Sequence, residues 1–175
     1  LKSPRFAFVG TFAVLLIMAS GVFWAYQPSV TYGHSLYGLK RATEKVELAF
    51  AFSPLSKVDA HLNFSDRRLE EANSIMGKPS AVAFLLQTAF ADEGEVDLTT
   101  EEENNLEKTL DDMKSEVDKA AEIIETRVTE PVRARLALER IEQVTDRHIE
   151  TLAKLEKRVR PPRIKEMVRR ISGNE

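Results

Sequence analysis

Apolar side chains recur along this chain at more than one spacing, and each spacing assigns a different kind of element. Residues 6–26 (FAFVGTFAVLLIMASGVFWAY) form an unbroken run of twenty-one uncharged residues behind Lys2 and Arg5. At about 1.5 Å per residue a helix of that length covers roughly 31 Å, which matches the hydrocarbon thickness of a bilayer, so the run predicts a membrane-spanning helix. From residue 36 onward the apolar positions return every three or four residues, the period of helices with one buried face. Residues 80–91 (SAVAFLLQTAFA) are apolar on nearly every side. Such a segment is too short to span a bilayer and predicts a core helix, or else a contact segment with Phe84 and Leu85 at its centre.

Behind the apolar run, residues 27–35 contain Pro28 and Gly33 and predict a short extended stalk. A helix is expected over 36–52, with Leu39, Ala42, Val46 and Ala49 or Phe50 on its inner stripe. Ser53-Pro54 opens the next one, because Ser accepts the first free amide hydrogens and Pro is preset for the opening turn. Its apolar positions are Leu55, Val58, Leu62, Leu69, Ala72 and Ile75 or Met76, with Ser65 in the one gap. Gly77 offers a left-handed stop and Pro79 prevents continuation, so 36–77 reads as an antiparallel hairpin. Residues 92–99 read as an acidic loop.

Thr100 and Glu103 have the spacing of a capping box and start a long helix over 100–129, with a seam of Leu106, Leu110, Met113, Val117, Ala120 and Ile124. Pro131 breaks it. A second long helix over 131–160 carries Val132, Leu136, Leu138, Ile141, Val144 or Thr145, His148 or Ile149, Leu152, Leu155 and Val159. A basic terminal helix over 163–172 follows the Pro161-Pro162 pair. No strand-like alternation of useful length occurs, so the fold class is all-α: one N-terminal transmembrane helix, then a helical-hairpin bundle of about five to six helices.

The position of charge gives the spanning helix a direction. Lys2 and Arg5 flank its N-terminal side, whereas beyond it no Lys or Arg occurs until Lys40. Basic flanks stay cytoplasmic, which places residues 1–5 inside and the main domain outside the cell membrane. Phe6, Phe12, Leu15, Leu16, Ile17 and Phe23 are the expected anchor residues, with Trp24 and Tyr26 at the outer headgroup level. The alternative is a cleaved secretory signal, for which Ala19-Ser20-Gly21 has the required small residues.

Composition narrows the function. The absence of cysteine removes disulfides and thiolate metal sites. A net charge of -3 gives no nucleic-acid footprint over the whole chain. Asp92, Glu93, Glu95, Asp97, Glu101, Glu102 and Glu103 make an acidic region, and Lys154, Lys157, Arg158, Arg160, Arg163, Lys165, Arg169 and Arg170 a basic one. The two are expected to attract each other, within one chain or between chains. The three histidines, His34, His61 and His148, stand far apart in sequence and lack paired-ligand spacing, and no glycine-rich phosphate loop occurs. The expectation is therefore a non-enzymatic protein without cofactor, metal or small-molecule substrate.

Leu36-Tyr37-x-Leu39-Lys40-Arg41-x-x-Glu44, then Ser53-Pro54, then Leu62 and Arg67-Arg68-Leu69-x-Glu71-Ala72, resembles the bacterial family known as domain of unknown function 5667. Arg147-His148-Ile149-Glu150-x-Leu152 before Pro161 is similar to that family's C-terminal helix hairpin. The resemblance implies a secreted or singly anchored helical protein, in some lineages found near sigma-factor regulation, with no agreed activity. Read as residues alone, Arg67 and Glu71 make a helical ion pair, and burial of Arg67 or Arg68 requires a carboxylate such as Glu44 or Glu47. A solvated network or a lipid-headgroup contact are the other roles for the two arginines. Arg67, Arg68, Phe84, Leu85, Arg163, Lys165, Arg169 and Arg170 are thus the candidate interaction residues. The bilayer and an envelope protein, or a second copy of the chain, are the expected partners. The functional expectation is an extracytoplasmic interaction or structural module of the bacterial envelope. The alternative is a transmembrane regulator resembling an anti-sigma factor, with more chain on the cytoplasmic side.

Overall fold

The computed structural model describes residues 24–77, 96–160 and 162–173. Within them the chain forms α1 (Tyr37–Phe50), α2 (Pro54–Gly77), α3 (Thr100–Arg127), α4 (Pro131–Arg158) and α5 (Pro162–Ser172). No strand occurs among the described residues, and a lone parallel bridge joins Val96 to Val159. The all-α expectation holds. Among the described residues no helix is long and apolar enough to cross a membrane. The expected span at 6–26 lies outside them except for its last three residues, and the apolar segment 80–91 with Phe84 and Leu85 lies outside them entirely.

The spine of the molecule is the antiparallel pair α2 and α3, the most extensive helix contact among those described. Near one end Val58 and Leu62 pack with Ala120 and Ile124. Toward the other, Ile75 and Met76 pack with Leu106 and Leu110. α4 returns beside them through Ala137 and Val144, then Leu152 and Leu155. α5 closes the second core with Ile164, Met167 and Val168. Each Val, Leu, Ile or Met side chain taken out of water contributes about 1.5–3 kcal/mol, which is why the seam residues set the register.

Helix starts follow the local chemistry, with one shift. Ser53 Oγ accepts from the Ser56 N–H at 3.0 Å and Ser56 Oγ from the Ser53 N–H at 3.0 Å, a reciprocal cap for α2. At α3 the capping residue is Thr99, not Thr100: its hydroxyl accepts from the Glu102 N–H at 3.3 Å, and the Glu102 carboxylate accepts from the Thr99 N–H at 2.9 Å. Both threonines have Glu three residues on, so spacing alone does not choose between them. Thr99→Ala is expected to cost about 1 kcal/mol in urea unfolding, and Thr100→Ala far less; equal losses would contradict the assigned cap. Gly77 ends α2 without the left-handed conformation expected of it, since the glycines with positive φ are Gly33 and Gly173.

Two seams differ from expectation. In α4, Val132, Leu136 and Leu138 are exposed. The buried line instead starts from half-buried Ala134 and runs through Ala137, half-buried Ile141, Val144, His148, Leu152 and Leu155. In α1 the reversal is complete. Lys40 and Glu44 are its buried residues, whereas Leu39, Ala42, Val46, Ala49 and Phe50 face solvent. The charged side of α1 is turned inward because α2 presents buried charges of its own.

Candidate functional site

α2 offers Arg68 and Glu71, one turn apart on the face toward α1. Arg68 is 0 % exposed, Glu71 0 % and Lys40 1 %. A buried guanidinium is tolerated only when its charge is met by carboxylates. Arg68 extends one arm to Glu71 and the other to Glu44 of α1. Lys40 Nζ lies 2.6 Å from Glu71 Oε1. Arg41 Nη1 donates to the second oxygen of Glu44 at 2.7 Å. Two carboxylates thus stand between three cations, and Asp112 of α3 lies 3.9 Å from Arg41. Burial pushes the Arg68 guanidinium down, but Glu71 and Glu44 outweigh it and hold its pKa above the ordinary value. The Arg68 cation is fixed and does not exchange protons, so it ties α1 to α2 as an ionic lock.

The lock also ties down the chain ahead of α1. Residues 27–35, expected as an extended stalk, are folded against the helices. Ala25, Val30 and Thr31 are buried. Lys40 Nζ donates to the carbonyls of Gln27 and Val30, each at 3.4 Å. The Tyr26 hydroxyl donates to Glu47, whose carboxylate also accepts from Arg67 at 3.0 and 3.2 Å. The Arg67 guanidinium sits over the Tyr26 ring at 4.7 Å from its centroid. The Tyr32 hydroxyl donates to Asp112, and its ring packs on Tyr37 with centroids 4.4 Å apart. Burial pushes the Tyr37 phenol far up, so it stays neutral beside the lock. Gly33 turns the strap with φ 84°, a conformation that disfavours a side chain.

Burial of Arg68 by a carboxylate of α1 is the arrangement that the sequence allowed for, whereas Arg67 and Glu47 form a half-buried pair that solvent still reaches. Arg68 has no surface with which to reach a headgroup. The basic residues of α5 do not join Arg67 and Arg68. Arg163 pairs with Glu107 at 2.5 Å and Arg169 with Glu156 at 2.7 Å. Lys165 is half-buried and Arg170 exposed. Attraction between the acidic and basic regions is realised within the chain at Arg160 and Asp97, 3.8 Å apart.

Two histidines join the helices. His61 Nδ1 lies 2.6 Å from Glu116 Oε2, joining α2 to α3. His148 Nε2 lies 2.8 Å from Asp66 Oδ1, joining α4 to α2. Sequence reasoning passed over Lys40 and both histidine pairs. The spacing of Lys40, Arg41 and Glu44 carried part of the signal, whereas pairs separated by 55 and 82 residues have no local signature. An open cleft of about 340 Å³ lies between Gly33, His34, Ile75 and the start of α3 at Thr99, Glu101 and Asn105. Among the described residues no group of acids and histidines is arranged to hold a metal.

Residues 29–92 match the family model described as Domain of unknown function (DUF5667). That stretch takes in most of the strap, all of α1 and α2 and thus the whole Arg68 lock; the similarity noted around Arg147 to Pro161 lies beyond it. No curated protein and no solved structure matches the chain.

Proposed function

We propose that this chain, with a DUF5667 domain over residues 29–92, is a singly anchored helical module of the bacterial envelope, acting by interaction or as structure rather than by catalysis. The observation that carries this reading is the uncharged run at 6–26 behind Lys2 and Arg5, long enough to span and flanked for a cytoplasmic N-terminus. The strap supports it. A chain leaving the bilayer at Trp24 is seized at once by Glu47, Arg67 and Lys40, so the bundle is held at a set place above the membrane. His61 and His148 are engaged as bridges between helices, which fits a scaffold. Envelope proteins, or a second copy of the chain, are the partners in this reading.

Protease added outside intact spheroplasts is expected to remove the large domain, and full protection would overturn the orientation. A second reading, a transmembrane regulator, is favoured by the same strap, because a domain joined to its anchor without slack can pass on a rotation or a shift. Crosslinking and pull-down of the full-length protein in its own membrane separates the two. Envelope components alone support the module, and a cytoplasmic sigma factor supports the regulator.

A further inference from the structure

The exposed side of α1 is a continuous apolar strip of Leu39, Ala42, Val46, Ala49 and Phe50, with Lys45 at its edge. Phe52 extends it past the helix end. Phe52 is 85 % exposed, Phe50 69 %, Trp24 63 % and Val46 54 %. An amphipathic helix whose charged face is sealed inside the protein, leaving its apolar face outward, has the polarity of a helix that lies in a membrane interface.

The path of the strap shows where the membrane would be. Followed upstream from Gly33, which stands beside Glu101 and Asn105, the chain passes Lys40 at Val30 and Gln27 and reaches Glu47 at Tyr26. From Lys40 to Glu47 is about 10 Å along α1, toward its C-terminal end. At Tyr26 the chain therefore stands toward the end of α1 that carries Val46 and Phe50.

Resting on the anchored reading above, we infer that this strip, with Phe52 and Trp24, seats on the phospholipid surface, so that α1 lies in the headgroup layer and the bundle rests against the bilayer. Trp24 has the amphipathic ring preferred at that depth, and Lys45 supplies a cation where an anionic headgroup would meet it.

The natural chain has no cysteine, so single labels can be placed at will. V46C, F52C and, as a control on exposed α4, R140C carry an environment-sensitive fluorophore in the full chain. The chain is reconstituted into phosphatidylcholine–phosphatidylglycerol vesicles, with a nitroxide-bearing lipid as quencher near the headgroups. Positions 46 and 52 are exposed, so labels there require no repacking. Quenching at 46 and 52 is expected to exceed that at 140 by about threefold, with Trp24 fluorescence quenched as well. Quenched Trp24 with positions 46 and 52 no brighter or dimmer than 140 would overturn the seating and leave the anchor intact. Protein that separates from the vesicles with unquenched Trp24 would overturn the anchor, and the seating with it. A blue-shifted label that lipid does not quench would show the strip covered by protein. Loss of that shift on dilution identifies a second copy, and its persistence identifies residues 80–91; either result overturns a lipid occupant.

Discussion

Arg68→Ala is expected to destabilise the domain by about 3–5 kcal/mol, the usual loss when one member of a buried ion network is removed. The loss comes less from the missing attraction than from what remains. Glu44 and Glu71 are both buried, and without the guanidinium only Lys40 and half-buried Arg41 face them. A carboxylate left so must gain a proton, draw in water or open the contact between α1 and α2, and each raises the free energy of the fold. Against a net stability of about 5–15 kcal/mol the change is large, and for a domain of this size it lowers the melting temperature by roughly 10 °C or more.

Arg68→Lys tests the geometry. It keeps one positive charge but cannot extend two arms to Glu71 and Glu44 at once, so a loss between wild type and Arg68→Ala is expected. Circular dichroism during urea unfolding measures all three proteins. A loss under about 1 kcal/mol for Arg68→Ala would mean that the guanidinium is solvated and that the lock does not hold the hairpin. Release should also loosen the strap, because Lys40 holds both Glu71 and the carbonyls of Gln27 and Val30. Protease cleavage between residues 26 and 36 is therefore expected in Arg68→Ala under conditions that leave α3 intact.

What could be read from the sequence depended on whether the apolar stripe and the buried stripe coincide. In α2 and α3 they do: Val58, Leu62, Ala72, Leu106, Leu110, Met113 and Ile124 were expected inside and are inside. In α4 the expected seam holds from Ile141 through Val144, His148, Leu152 and Leu155 to Val159 just past its end, and fails only in the first turns. Bulk favoured Val132, Leu136 and Leu138, but the residue of that stretch that joins the core with Ala120 and Ile124 is Ala137. In α1 periodicity gave the two faces correctly but not which one is inside. An ion network of two buried carboxylates among three cations, joined across 24 residues by Arg68 and Glu44, reverses the usual assignment. The same network was partly visible, since burial of Arg67 or Arg68 required a partner at Glu44 or Glu47, and both partners are used. The strap was least legible. Pro28 and Gly33 announce irregular backbone without saying whether it is extended or folded back, and the residues that settle this, Glu47 and Asp112, are 21 and 80 positions from their tyrosines.

Acid is expected to weaken the fold through Glu116. Its carboxylate is buried between His61 and Lys119, with His61 Nδ1 at 2.6 Å and Lys119 Nζ at 2.8 Å. Burial pushes this carboxyl up, but the hydrogen bonds from His61 and Lys119 outweigh it and bring the pKa down to about 2, from an ordinary value of 4.5. Between those values the unfolded chain binds a proton that the folded chain does not, so lowering the pH favours unfolding. The contribution is complete above the ordinary value and disappears as the pH falls from about 5 to about 2. A shift of that size corresponds to about 3 kcal/mol, an upper figure for one partly solvated pair. Glu116→Gln keeps the shape and removes the charge. It should be less stable than wild type at pH 7 by up to this amount, and the two urea midpoints should converge as the pH approaches 2. Parallel curves over that interval would show that the carboxylate is not held by His61 and Lys119, and the joint between α2 and α3 at that level would then rest on Val58, Leu62, Ala120 and Ile124 alone.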